Sequence, residues 1–272
     1  MCIVTGPTSG IGKEIAKELA RRGAHGNEKR SLITVPDGEI LSLCLNQVLN
    51  CNAVILACRS VEKGNLLSKE IHQEAEESGG ATPRVEVIQL DLASLTSVRA
   101  FATSWKQTSR PIHVLVNNAG IFSMASTRSE TEDGMEAHIG TNHLGHFLLT
   151  LLLIPFLKAG SQSSLGRPAR VVNVASRLHL MCSKVNTTDP HMSNQYVSLQ
   201  AYAQSKLAQV AFAAELTRRT KGEVLAVAVH PGEVTTDVVR SLSPFLQKSY
   251  KLVMGMILLS PSQGELRDQT TR

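Results

Sequence analysis

Aromatic residues make up only 4% of the chain, and no dense run of lysine and arginine occurs in it. A nucleic-acid groove needs both a basic track and stacking rings, so that class is excluded. Long apolar runs are missing too. A membrane-spanning helix needs about 18 consecutive apolar residues. The longest stretches are Phe147–Leu157, interrupted by Pro155, and Leu252–Leu259. No leader pattern precedes the first apolar strand signal, which begins at residue 2. Cys2, Cys44, Cys51, Cys58 and Cys182 are odd in number and none is in C-x-x-C spacing. We therefore expect reduced packing residues and no metal site. Together these absences point to a soluble, cytoplasmic protein, with a membrane surface or a plastid left open.

What is present suits one large α/β domain. The chain has 272 residues, of which 42% are hydrophobic and 19% charged. A balance of 28 Lys+Arg against 23 Asp+Glu gives a formal charge of +5. That mild excess suits a phosphate-bearing cofactor or an anionic surface. The chain is organised around Thr5-Gly6-Pro7-Thr8-Ser9-Gly10-Ile11-Gly12. The apolar run Cys2-Ile3-Val4 precedes it, and Ile11, Ile15 and Leu19 follow at helical spacing. Strand, glycine turn and helix in that order bring backbone N–H groups and the positive end of a helix dipole to an anion. The turn reads as a dinucleotide pyrophosphate site, with Gly6, Thr8, Ser9, Gly10, Ile11 and Gly12 as its contacts.

Strands are expected at Val54–Cys58, Val85–Asp91, Ile112–Val116, Arg170–Ala175 and Val224–Val229, with helices at Val61–Ser78, Ser94–Trp105, Met135–Leu157 and Tyr196–Arg219. Alternation of this kind predicts a doubly wound, Rossmann-type parallel sheet of six strands covered on both faces, with no seventh strand visible after Thr236. The segment 26–53 has no place in a βαβ unit. Arg59 stands 47 positions after Gly12, and excising these 28 residues leaves 19, near the usual spacing of about 20 to the ribose-reading residue. We read 26–53 as an insertion within a single domain spanning 1–272, an intervening sequence retained in an atypical transcript. A natural surface loop with its own short helix is the alternative. Residues 260–272 are polar and read as a disordered tail.

Tyr202 and Lys206 are four apart, on one face of a predicted helix. An ammonium beside a phenol favours phenolate, so this phenol can exchange protons with an alcohol or carbonyl oxygen. Ser176, at the end of a strand, can hydrogen-bond the same oxygen, and Asn142, mid-helix, can hold a water or the lysine. Each of these residues alone is more often an ordinary surface residue. Their joint placement on the ligand-binding edge of the sheet favours function.

These motifs resemble the short-chain dehydrogenase/reductase family over nearly the whole chain. The family's glycine motif matches Thr5, Gly6, Gly10, Ile11 and Gly12, and its Asn-Asn-Ala-Gly element matches Asn117 to Gly120. Its catalytic tetrad falls on Asn142, Ser176, Tyr202 and Lys206, and its Pro-Gly element on Pro231 and Gly232. Ala57-Cys58-Arg59-Ser60 and Thr141-Asn142-His143-Leu144-Gly145-His146-Phe147 look like the retinol dehydrogenase and WW-domain oxidoreductase branch. The resemblance implies hydride transfer at a nicotinamide, with Tyr202 moving the proton, Lys206 lowering the tyrosine pKa and binding the nicotinamide ribose, Ser176 orienting the oxygen, and Asn142 supporting a water that links Lys206 to solvent. It also implies that Asp91 and Leu92 contact the adenine, that Asn117, Ala119 and Gly120 line the adenine ribose side, and that Thr236 holds the carboxamide.

Arg59 occupies the position where an acid would accept from a free ribose 2′-OH, and a guanidinium can fork onto a 2′-phosphate instead. With Lys13 adding positive charge, the expected cofactor is NADP(H). The apolar stretch 242–259 reads either as a lid for a lipophilic alcohol or carbonyl (a retinoid, sterol, polyprenol or long-chain aldehyde) or as ordinary core helix. It also leaves peripheral membrane contact open. A homodimer is likewise left open. The competing function is a non-catalytic, cofactor-sensing or scaffold variant of the same fold.

Overall fold

The computed structural model describes residues 1–25, 52–163 and 167–231. The greater part of the 26–53 segment, the 242–259 stretch, the 260–272 tail, Gly232 and Thr236 lie outside the described residues.

Six strands form one sheet: β1 (Cys2–Thr5), β2 (Val54–Cys58), β3 (Val85–Gln89), β4 (Val114–Asn117), β5 (Ala169–Val174) and β6 (Val224–Val229). Their order across the sheet is β3-β2-β1-β4-β5-β6, and every pairing is parallel. The helices are α1 (Gly10–His25), α2 (Val61–Glu77), α3 (Leu95–Thr108), α4 (Gly145–Ser163) and α5 (Ser198–Arg219). This is the Rossmann-type architecture expected from the alternation of strand and helix patterns.

Strand side chains alternate between the two faces, and two cores result. Cys2, Val4, Val54, Leu56, Val114 and Val116 pack on one side against Ile15 and Leu19 of α1 and Leu67 and Ile71 of α2. Ile3, Ile55, Leu115 and Val171 pack on the other against Phe101 and Trp105 of α3, Leu149, Leu153 and Leu157 of α4, and Phe212 and Leu216 of α5. By length and composition, the run Ile139–Ser163 could cross a membrane. Its leucines at 149, 153 and 157 are nevertheless wholly buried against the sheet.

Three local features differ from the sequence expectation. The helix predicted to start at Met135 instead starts at Ala137 and passes through a π-helical turn, Ile139–Leu144, before α4 begins at Gly145. A turn of that width widens the backbone locally, and such turns cluster at functional sites. β3 ends at Gln89, two residues short of Asp91, because Asp91 turns the chain by accepting Ala93 N–H on its carboxylate at 2.9 Å. Cys2 is disulfide-bonded, whereas we expected only reduced cysteines. Cys58 and Cys182 are free thiols.

The β1 and β2 pairing brackets the long connection. Cys2 pairs with Val54 in register, and Cys2 N–H donates to Ala53 O at 3.0 Å. β2 begins at Val54, directly after the predicted insertion.

Candidate active site at the carboxyl edge of the sheet

The sheet order reverses between β1 and β4, so the loops following these two strands diverge and open a crevice. The turn after β1 builds one wall. Gly6 and Gly10 take φ of +61° and +54°, values that disfavour any side chain. A Cβ at Gly12 would lie 2.3 Å from Asn118 Nδ2 and from Gly6 O, whereas one at Gly10 would meet nothing within 4 Å. The turn is thus packed tightly on its inner side and open at Gly10, where α1 begins. The first intrahelical bond there is Lys13 N–H to Ser9 O, at 3.3 Å, and the amides of the first turn before it lack carbonyls within the helix. Thr8 is half-buried, Ser9 exposed and Ile11 buried. This cradle fits a pyrophosphate.

Thr5 locks this turn to the loop after β4. Its Oγ1 accepts the Asn118 and Ala119 N–H groups, both at 3.0 Å, and Asn118 Nδ2 donates to Thr5 O and Gly6 O. His146 lies 2.8 Å from the same hydroxyl through Nε2, and its Nδ1 lies 2.9 Å from Asn142 O. A carbonyl can only accept, so Nδ1 carries the proton and Nε2 accepts from Thr5. Complete burial holds the imidazole neutral, with its pKa lowered to about 3.

Around the predicted tetrad, Asn142 sits in the π-helical turn and is wholly buried. Its Oδ1 accepts Ile121 N–H at 2.8 Å, and its Nδ2 donates to Ile121 O and to Ser205 Oγ, both at 3.0 Å. Ser205 Oγ in turn donates to Tyr202 O at 2.7 Å. Lys206 is 4% exposed, and its Nζ donates to Val174 O at 2.9 Å and Gln209 Oε1 at 3.0 Å. Among the described residues it has no carboxylate partner, and burial lowers its pKa to about 7. Lys206 Nζ lies 5.7 Å from the centre of the Tyr202 ring. Tyr202 is half-buried, with its ring edge-on to Phe122 at 4.7 Å. Ser176 caps the 3-10 turn Arg177–Met181, its Oγ accepting Leu178 N–H at 3.3 Å. Gly120 closes the group, since a Cβ there would stand 3.2 Å from Asn142 Oδ1 and 3.5 Å from Lys206 Nζ.

The other predicted contacts are placed as follows. Arg59 is exposed just past the end of β2 and makes no hydrogen bond or ion pair among the described residues. Lys13, by contrast, is paired with Glu70 at 2.8 Å, and Lys17 with Glu70 and Glu74. Asp91 is half-buried, and Leu92 is 5% exposed within the core. Asn117 is wholly buried, its Nδ2 donating to Thr150 and Asn173. Its side chain ties the end of β4 to α4 and to β5. Ala119 is half-buried and Pro231 buried.

Several residues central to this arrangement were not picked out from sequence: His146, Ser205, Gln209, Glu136, His138 and Phe122. His146 stood within a recognised motif, but nothing in a linear pattern ties position 146 to position 5.

A sequence model of the short chain dehydrogenase family matches residues 49–247. Human retinol dehydrogenase 11 is 39% identical over 263 residues, covering 96% of this chain and 69% of its own. Mouse polyprenol dehydrogenase is 37% identical over 267 residues, covering 97% of this chain and 68% of its own. Among solved structures, an uncharacterised Mycobacterium paratuberculosis protein shares 35% identity with a TM-score of 0.62, covering 87% of this chain and 69% of its own. A Beutenbergia cavernae protein described as an NAD(P)-dependent gluconate 5-dehydrogenase, with NADP bound, shares 25% identity with a TM-score of 0.60, covering 93% and 80%. A chain with this sheet order, this glycine turn and this extent of similarity belongs to the short-chain dehydrogenase/reductase family of oxidoreductases.

Proposed function

We propose that the protein is an NADP(H)-dependent oxidoreductase that interconverts a lipophilic alcohol and its carbonyl compound. The observation that carries this reading is the buried, carboxylate-free Lys206 beside Tyr202, one turn apart on α5. An ammonium there stabilises phenolate, which lets the Tyr202 hydroxyl exchange a proton with a substrate oxygen. The nicotinamide, when bound, supplies or accepts the hydride. In reduction the Tyr202 hydroxyl gives its proton to the carbonyl oxygen as that carbon gains hydride. In oxidation the phenolate takes the alcohol proton back. The Ser176 hydroxyl orients the substrate oxygen. Asn142 fixes Ile121 and Ser205 around the tyrosine.

The Gly6–Gly12 turn would hold the pyrophosphate and Arg59 the 2′-phosphate. Arg59 supports NADP(H) over NAD(H) because it is exposed and unpaired among the described residues, whereas Lys13 is engaged by Glu70. A lipophilic substrate is supported by the apolar residues left exposed near the site: Ile121 and Met124 after β4, Leu180 and Met181 after β5, and Val197 at the start of α5. The names of the retinol and polyprenol dehydrogenase relatives point the same way. We further propose one NADP(H)-binding domain interrupted by 26–53. The start of β2 at Val54 supports this, as does a family match that begins only at residue 49.

The test is turnover of a long-chain aldehyde with NADPH by Tyr202→Phe. Loss of the proton donor should lower kcat by about 10²–10⁴-fold with cofactor affinity retained. Equal turnover by the variant, or none by the natural chain over a broad carbonyl panel, refutes the catalytic reading and leaves the cofactor-sensing alternative.

A further inference from the structure

Beside the tetrad lies a buried carboxylate–imidazole pair to which the reaction assigns no part. Glu136 and His138 are each 1% exposed. Glu136 Oε2 accepts Ile139 N–H at 2.8 Å, and Oε1 lies 2.8 Å from His138 Nδ1. His138 Nε2 accepts Ser123 N–H at 3.1 Å. The imidazole is therefore neutral, with its proton on Nδ1 pointing at the carboxylate. Burial pushes the Glu136 carboxyl up, but the hydrogen bonds from His138 and Ile139 outweigh it and hold it below the usual carboxylate range. Tyr196 OH lies 3.5 Å from both members of the pair.

Ser123 is gripped from the other side as well, because Ser198 Oγ donates to Ser123 O. Two residues earlier, Ile121 is held through both its N–H and its carbonyl by Asn142. Between these anchors Phe122 stands edge-on to the Tyr202 ring, and the His138 ring is edge-on to Tyr202 at 6.0 Å. Ile121 and Met124 are exposed at the same place.

We propose that Glu136 and His138 are positioning residues that pin Ser123 and thereby hold Ile121–Met124 as a fixed apolar wall of the substrate cleft, with Phe122 braced against Tyr202. The proposal rests on the oxidoreductase reading for its substrate and on hydrogen bonding for its mechanism. Only a carboxylate offers an acceptor to both Ile139 N–H and His138 Nδ1–H. A glutamine in its place has the same shape but one donor end. If that end faces His138, the ring must carry its proton on Nε2, against Ser123 N–H. If it faces Ile139, the π-helical turn loses its cap. Either way one backbone donor is left facing a donor.

The experiment combines amide hydrogen exchange with steady-state kinetics on the full chain. In Glu136→Gln, exchange of the peptide carrying Ser123 should accelerate about tenfold while that of β4 stays unchanged. KM for decanal should rise about tenfold with kcat within about threefold, as fits a wall that binds and does not react. His138→Phe should reproduce both effects, and the double variant should add little to it. His138→Gln, which retains an acceptor for Ser123 N–H, should keep more protection than His138→Phe, and this comparison decides the matter if Glu136→Gln does not fold. Unchanged exchange at Ser123, or a loss confined to kcat, overturns the proposal. If the natural chain turns over no aldehyde, the oxidoreductase reading fails while the exchange comparison still decides the pinning.

Discussion

Lys206 is held with its charge in a place that resists charge. An ammonium buried without a carboxylate loses hydration that two neutral acceptors, Val174 O and Gln209 Oε1, only partly restore. Its pKa is about 7 in the fold against about 10.4 in an open chain. Between those values the unfolded chain binds more protons than the folded one, so this residue's contribution to stability rises with pH across that window. Lys206→Met should remove the slope. Its melting temperature relative to the natural chain should be highest near pH 7 and fall steadily toward pH 10. A gap that does not vary with pH would mean that Lys206 folds with an ordinary pKa. The variant also strips a donor from Val174 O and Gln209 Oε1, which is why the slope, and not the absolute gain, is the readout. Helical spacing made the Tyr202–Lys206 pair legible in the sequence. Gln209, one turn further on, was not, because an amide at i+3 carries no signal until the burial of its neighbour is known.

At the scale of elements, the π-helical turn and α4 carry most of what sequence periodicity could not show. A period of 3.6 predicted one continuous helix from Met135, and the apolar positions of α4 fitted it. The wide turn at Ile139–Leu144 is held by the polar side chains that flank it, Glu136 accepting Ile139 N–H and His146 donating to Asn142 O. Hydrophobic periodicity carries no trace of either bond. The same turn presents His143 to an aromatic group on the α4–α5 surface, its ring 5.7 Å from Phe147 and 6.1 Å from Phe212. Burial lowers its pKa to about 4, and its Nδ1 is buried without a hydrogen-bond partner among the described residues. The folded state thus keeps this ring neutral while the unfolded chain takes up a proton below about pH 6.5. Its share of stability is present above that value and is lost as pH falls toward 4, amounting to about 2 kcal/mol at pH 5. His143→Phe should therefore raise the melting temperature at pH 5 by several degrees and have little effect at pH 8. Equal shifts at both values would refute the assignment. The strands, by contrast, were almost wholly legible. Short runs such as Val54–Cys58, buried on both faces, leave little room for another reading.

For the whole molecule, the question is whether this particular chain assembles the cradle. A ligand that binds only the folded state raises its stability by about 2.7 kcal/mol at a hundredfold excess over Kd. Calorimetry should therefore show one cooperative melt for the described domain, shifted upward more by NADPH than by NADH. Arg59→Asp should abolish that difference. No shift with either cofactor would refute the cradle, and an equal shift would refute the 2′-phosphate assignment. A chain lacking 26–53 should keep the NADPH shift if that segment is an insertion. On the proposed assignment, the cofactor end and the substrate end of the crevice also share a single hydroxyl group. Thr5 accepts the two amides that set the loop after β4 and donates to His146, which holds the carbonyl of Asn142. Work done on one end is therefore felt at the other, and by thermodynamic reciprocity each ligand must strengthen or weaken its companion by one common factor. In kinetic language, a single interaction factor scales the dissociation constants of both ligands alike, whichever of them arrives first.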